Sequence, residues 1–556
     1  MAFDVWRIYK LMFFFLILGV LLVMRIFYLQ ILEGPKLAIQ GLSSRMQEVP
    51  IEIARGEIVD RNGLLLTNTA QHFSIIIFPS QISNKQNVID KLTALTDLTA
   101  QELVTKLNEK NGHPFKLQSN IDEATAQKIN SLQIPGVIVV AEKIRYGYSS
   151  LASHVTGYIN AADNQGVSGI EKMYDDVLRS NEPEYAAALV DAKQQIVPGL
   201  GYKRLRLTNG ARPSNVVLTL DKRIQKSVEN VLDRHKIKGA VVILRPSTGE
   251  ILAMASRPNF DANNLSEYLA QDTAPLLNRA VAAYQPGSVF KLLVAAAALE
   301  SKIVSPDDLF FDKGYIEVNN LRFKGWDYEN GGRGRLTFAE ALAYSSNPVF
   351  IEVGLKLGAN RLVDYAQKLG FGQRTKLGFD GEAAGNLPPA ENMYPGELAN
   401  FAIGQGSFEA TPLQIVSLVA TIVNDGIKVD PYIVGKLTSP DGTIIKNYAV
   451  SRGVRVLSRQ TAEKMRKMMI GVTKFGTGQA AYVDDFGSAG KTGTAETGRL
   501  NQMGQSVNHA WFAGYAPLEN PQYAVVVLVE DGMSGGDVAA PIFREILTDI
   551  LSATGP

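Results

Sequence analysis

The chain has 556 residues, 46% of them hydrophobic and 20% charged, with a formal net charge of +1. That length allows two or three domains with at least one sizeable core, and the balanced charge leaves no footprint for nucleic acid. There is no cysteine, so disulfides, thiolate metal sites and cysteine nucleophiles are excluded. None of the five histidines pairs with another at a zinc-binding spacing, so the chemistry is expected to need no metal and no cofactor.

From Leu11 the sequence runs without charge to Met24 and stays apolar to Leu32, 22 residues broken only by Arg25 and Gln30. A tilted helix of that length crosses a bilayer core. Arg25 lies near the outer end, where its side chain can snorkel, and Arg7 and Lys10 ahead of the span favour a cytoplasmic N-terminus. The bulky residues that follow (RIFYLQILEGPK) offer no small-x-small cleavage site. The expectation is a cytoplasmic tail (1–9) and a single-pass anchor in the cell membrane (10–32), with the rest outside the cytoplasm.

Residues 33–214 mix strand-like runs (FSIIIF at 73–78, GVIVVAE at 136–142) with polar helical segments (NVIDKLTALTD, TAQELVTKLNEK). The turn NGARPSN then leads into a strand at 215–220 and an amphipathic helix at 221–235, which places a domain boundary at 214. Beyond it, GAVVILRPSTGEILAMAS (239–256) reads as a hairpin. Helical runs follow at 288–301, 337–344, 348–358, 361–369, 411–424 and 460–473, then strand-like runs at 486–496 and 522–531 and a final helix, PIFREILTDILSA. The pattern predicts an α+β, multidomain protein whose second region (215–556) is a mainly antiparallel sheet flanked by helices.

Two Ser-x-x-Lys strings occur, Ser288-Val-Phe-Lys291 and Ser488-Ala-Gly-Lys491. Ser288 opens an apolar helix after Pro286-Gly287, so Lys291 lies on the same face one turn on. The helix N-terminus favours negative charge on the serine oxygen, and apolar surroundings lower the lysine pKa so that it can accept the hydroxyl proton. Ser488 and Lys491 lie in a strand-like run, where the same spacing puts them on opposite faces. Alone, Ser288 reads as a helix cap. So does Ser345-Ser346-Asn347, at a turn before a helix. Lys491-Thr492-Gly493-Thr494 offers a cation, two hydroxyls and a glycine that permits close backbone approach, a set suited to an extended anionic ligand.

The ordered set Ser-x-x-Lys, Ser-x-Asn, Lys-Thr-Gly is far more specific than any member of it, and it is a known signature of penicillin-binding proteins and serine β-lactamases. With ARGEIVDRNGLLLT (54–67), HVTGYIN with SGIEKMYD (154–175), VVLTLDKRIQ (216–225), GQGSFEATPLQ (404–414) and HAWFAGYAP (509–517), nearly the whole chain resembles the class B penicillin-binding proteins. The resemblance implies a pedestal (dimerisation-like) domain at 33–214 and a transpeptidase domain at 215–556. It implies that Ser288 attacks the penultimate D-alanine of a peptidoglycan stem peptide, with Lys291 as base, and that β-lactams acylate the same serine. It further implies that Ser345 relays a proton, Asn347 holds the donor, Lys491 tunes the field, and Thr492, Gly493 and Thr494 bind substrate. The oxyanion hole would be the backbone N–H groups of Ser288 and Thr494. Implied partners are the membrane, a glycan polymerase of the SEDS type and other cell-wall proteins.

Alternatives on the same residues are a D,D-carboxypeptidase or β-lactamase, which need neither the long N-terminal region nor an anchor. A β-lactam sensor or silent scaffold is another, against which stand the complete motifs and the short tail. The run SSNPVF (345–350) looks more like the division and sporulation members. The box Arg55, Gly56, Asp60, Arg61, Gly63 reads as structural, its charges pairing within the N-terminal domain. Gly532-Met-Ser534-Gly-Gly536 matches the G-x-S-x-G of α/β-hydrolases, but no histidine follows it to complete that family's triad. His509 reads as a structural residue.

Overall fold

The computed structural model describes residues 5–554 except 44, 111, 148–149, 161–162, 192, 194, 198–200, 207–212, 449 and 501–503. The first residues of the tail and most of the turn at which the boundary was drawn lie outside the described residues. An apolar helical stretch, Trp6–Leu32, is long enough to cross a membrane, and its side chains are exposed throughout.

The chain forms two compact units: Met1–Arg55, Thr69–Arg145 and Arg179–Pro213 make the first, and Gly56–Asn68, Tyr146–Leu178 and Ser214–Pro556 the second. The division is therefore not a single cut at 214, because two stretches from the N-terminal region fold with the second unit.

In the first unit, the run FSIIIF lies in the middle strand (Ala70–Ile77) of a three-stranded antiparallel sheet. Alternation decides its two contacts. Ile75 and Ile77 point into a core with helices Lys85–Thr93, Ala100–Glu109 and Glu123–Ser131. Ile76 and Phe78 point the other way, against Val49, Ile51 and Ala186 of a second sheet.

In the second unit the strand Ile58–Val59 pairs in parallel with Asn215–Leu218. Just after it, fully buried Asp60 accepts hydrogen bonds from the backbone N–H groups of Asn62, Leu64 and Lys222, and Arg61 pairs with Glu250 at 3.2 Å. The box is structural, as expected, but Asp60 and Arg61 find their partners in the second unit rather than in the N-terminal domain.

The main sheet comprises β1 (Gly239–Leu244), β2 (Ile251–Arg257), β3 (Ala489–Leu500), β4 (Ser506–Ala516) and β5 (Tyr523–Gly532), in the order β2-β1-β5-β4-β3 and antiparallel throughout. Helix α1 (Lys222–Arg234) and the C-terminal α6 (Ala540–Thr554) cover one face, over Val241, Ile243, Phe512, Val525 and Val527. The other face carries α2 (Lys291–Glu300), α3 (Asn347–Leu357), α4 (Pro412–Val423) and α5 (Arg459–Lys474), which share a core with Val242, Trp511, Ala513 and Val526. In α2 every residue from Lys291 to Leu299 is buried, the signature of a helix enclosed on all sides. Edge strand β3 lies beside the turn that precedes α2.

Candidate active site

Ser288 lies in a 3-10 turn, Gly287–Phe290, and the α-helix proper begins at Lys291. No side chain caps either element, so the serine is not a capping serine, and it remains half-buried rather than enclosed. The turn is fixed from both sides. Phe290 stacks into a ring cluster, 4.3 Å from Phe408 and 5.0 Å from Phe401 between centroids. The Gly287 N–H donates to the Gly404 carbonyl at 2.9 Å. Gly287 has φ +56°, and a Cβ there would lie 2.5 Å from the Thr494 carbonyl oxygen. A Cβ on Gly493 would lie 2.9 Å from the Pro286 carbonyl oxygen. Two glycines thus let the Ser288 turn and β3 press backbone to backbone.

Lys291 is fully buried. Its ammonium donates to the Ser345 carbonyl (2.7 Å), the Ser345 hydroxyl (3.3 Å) and Asn347 Oδ1 (2.6 Å). Burial, and then the charge of Lys491, holds its pKa well below the usual lysine range, while Asp312 and Asp327 act in the opposite sense. Ser345 reaches it from a left-handed conformation, φ +62°, uncommon for a residue with a side chain. The expected capping role falls instead to Ser346, whose hydroxyl accepts from the Val349 N–H at the start of α3. Asn347 also donates to the Lys324 carbonyl at 3.2 Å.

Lys491 is equally buried, and burial lowers its pKa to about 7. Its ammonium donates to the Thr492 carbonyl at 3.0 Å and reaches the Thr492 hydroxyl at 3.4 Å. The Thr492 hydroxyl shares a 2.6 Å hydrogen bond with Thr477, and the Thr494 hydroxyl accepts from the Gly535 N–H at 3.3 Å. β3 is the sheet edge, and among the described residues no strand pairs with its outer side, the condition for an extended chain to add alongside.

The decoys separate cleanly. Ser488 is fully buried; its hydroxyl donates to the Ala481 carbonyl (2.7 Å) and accepts from the Val483 N–H (3.2 Å). Ser534 caps a helical turn, accepting from the Asp537 N–H and donating to its carboxylate. His509 is buried edge-on to Tyr284, ring centroids 5.3 Å apart.

Sequence reasoning did not single out Asp312, Asp327 or Thr477. No motif marks them, and only the fold brings the two aspartates to Lys291 and Thr477 to Thr492. Gly404 lies in the run GQGSFEATPLQ, but its carbonyl contact with Gly287 is made by backbone and carries no signal in the side-chain code.

Comparison with known families bears directly on this geometry. The penicillin binding protein transpeptidase domain matches residues 239–548, and the penicillin-binding protein dimerisation domain matches residues 50–199. The chain belongs to the class B penicillin-binding proteins. This penicillin-binding protein is 34% identical to stage V sporulation protein D of Bacillus subtilis, over 98% of this chain and 86% of the relative. It is 28% identical to peptidoglycan D,D-transpeptidase MrdA of Escherichia coli, over 96% and 92%. Among solved structures it resembles penicillin binding protein 3 of Mycobacterium tuberculosis complexed with aztreonam, at 27% identity with a TM-score of 0.65, covering 92% of this chain and 98% of that one.

Proposed function

We propose that this penicillin-binding protein is a serine D,D-transpeptidase that crosslinks peptidoglycan stem peptides and is acylated by β-lactams at Ser288. The observation that carries the reading is the Lys291 ammonium, buried and bound by Ser345 and Asn347, one turn after a half-buried, uncapped serine. A lysine whose charge is disfavoured is a competent proton acceptor.

Ser288 Oγ bonds to the penultimate D-alanine carbonyl carbon while its proton passes to Lys291. The tetrahedral oxyanion rests on the Ser288 and Thr494 N–H groups. The C–N bond to the terminal D-alanine then breaks, and the proton reaches the leaving amine through Ser345. An amine from a neighbouring stem peptide attacks the ester carbonyl carbon, a new C–N bond forms as the C–O bond to Ser288 breaks, and the proton lost by the amine returns to Ser288 Oγ. Asn347 and the free edge of β3 hold the donor, with Gly493 allowing its close approach. The hydroxyls of Thr492 and Thr494 bind its terminal carboxylate, and Lys491 tunes the field around them.

The exposed apolar helix serves as a single-pass anchor with the N-terminus cytoplasmic, a reading supported by Arg7 and Lys10 ahead of the span. The pedestal region at 33–214, less the two stretches that fold with the catalytic unit, docks a glycan polymerase of the SEDS type or other cell-wall proteins. The Ser-Ser-Asn motif supports a role in division or sporulation.

The test is product analysis with a D-Ala-D-Ala donor peptide, with and without an acceptor amine. A crosslinked product that rises with acceptor supports the transpeptidase. Hydrolysed donor alone, whatever the acceptor concentration, favours a carboxypeptidase. No turnover favours a sensor or scaffold.

A further inference from the structure

Between the two residues that hold Lys291 lies one that does not touch it. Ser346 is almost fully buried, and its hydroxyl donates to Asp312 Oδ2 at 2.5 Å while accepting from the Val349 N–H at 3.3 Å. Asp312, at the end of the strand Leu309–Asp312, has no exposed surface. Its other oxygen accepts from the Gly314 N–H at 2.7 Å, so its hydrogen bonds come from a hydroxyl and an amide rather than from a cation.

The neighbouring residues explain why such a buried carboxylate is useful. Ser345 is held at φ +62°, a conformation strained for a residue with a side chain that persists only where its surroundings impose it. In that conformation its carbonyl and hydroxyl, with Asn347 Oδ1, converge on one nitrogen. The charges that face Lys291 come from three directions: Lys491 from β3, Asp312 from its strand, and Asp327 from the loop after the strand Leu321–Lys324. Asp327 is already paired with Arg333 at 3.1 Å.

We propose that Asp312 is a positioning residue. Through the Ser346 hydroxyl it locks the Ser345–Asn347 turn in the strained form that presents three oxygens to Lys291, and its carboxylate supplies a counter-charge to that buried lysine. The inference rests on Lys291 being the base for Ser288. Its test is designed to separate the two claims.

Acylation by a fluorescent penicillin is timed across pH for the wild-type chain and for Asp312→Asn, Ser346→Ala and Ser346→Thr. Asp312→Asn keeps the shape and an acceptor but removes the charge. Lys291 then loses its protonated form at lower pH, so the acid limb of the acylation profile moves down by about half a pH unit or more. Ser346→Ala lowers the plateau rate about tenfold, and Ser346→Thr, which keeps the hydroxyl, restores it to within a few-fold. The Ser346 pair probes the same link without altering the carboxylate, should Asp312→Asn fail to fold. The proposal is overturned if the wild type is acylated at Ser288 while Asp312→Asn keeps its acid limb and loses only thermal stability, or if Ser346→Ala acylates at the wild-type rate. A wild type not acylated at Ser288 overturns the reading of the site, and the proposal with it.

Discussion

Ser288-x-x-Lys291 and Ser488-x-x-Lys491 have the same spacing, and both lysines are fully buried. What differs is the backbone that carries them. In the turn before α2 the serine hydroxyl caps nothing, and Lys291 meets the Ser345–Asn347 turn. At the start of β3 the serine hydroxyl is consumed by Ala481 and Val483, while Lys491 turns to Thr492. The same four-residue string thus yields an uncapped serine before a lysine bound by a neighbouring turn in one place and, in the other, a serine held by backbone groups before a lysine bonded to its own neighbour. Spacing acquires chemical meaning only through the element it lies on and the hydrogen bonds already made.

Substitution at the two serines breaks this comparison most directly. Ser288→Ala should abolish acylation, by more than about 10⁴-fold. Ser488→Ala should leave the rate within a few-fold and instead cost about 1–3 kcal/mol in chemical denaturation, because it strands a buried carbonyl and N–H. The two lysines come next. Lys291→Met should lower the acylation rate by roughly 10²–10⁴-fold with the fold retained, as expected for loss of a general base. Stopped-flow acylation with circular dichroism checks both halves of the statement.

The comparison also shows what the sequence made legible. Strongly patterned elements stood out: the run FSIIIF, the β1–β2 hairpin, and helices α1, α3, α4, α5 and α6. Strand β4 did not. NHAWFAGYA lies between β3 and β5 with both faces covered, so its alternation is blurred by alanines and glycine. The site was legible as three motifs because each is short and local. Asp312 was not, because its importance lies in meeting Ser346, 34 positions away, and no periodicity reports that. The segments Gly56–Asn68 and Tyr146–Leu178 escaped for the same reason: their partners, such as Asn215 for Glu57 and Glu229 for Ala152, are distant in the chain.

Gly287→Ala sharpens the account at an intermediate scale. It places a Cβ 2.5 Å from the Thr494 carbonyl in a left-handed conformation, so the turn must move off β3. Acylation should fall about tenfold or more while thermal stability changes by no more than a few degrees.

The smallest effect concerns pH, far from the reaction. His154 is buried, its Nε2–H donates to the Pro275 carbonyl at 2.7 Å, and burial lowers its pKa to about 4. The unfolded chain takes up this proton near pH 6.5, before the folded chain does. Stability therefore falls as pH drops from about 6.5 to 4 and levels off below. His154→Gln should flatten that part of the profile, read as melting temperature against pH relative to wild type.

The central claim is that the nucleophile is the serine of the helix turn and not that of the strand. Intact-mass analysis of the purified protein after exposure to penicillin, followed by peptide mapping, tests it most directly. One covalent adduct is expected, on the peptide containing Ser288, and none in Ser288→Ala. An adduct at Ser488 or Ser534, or no adduct at all, would contradict it.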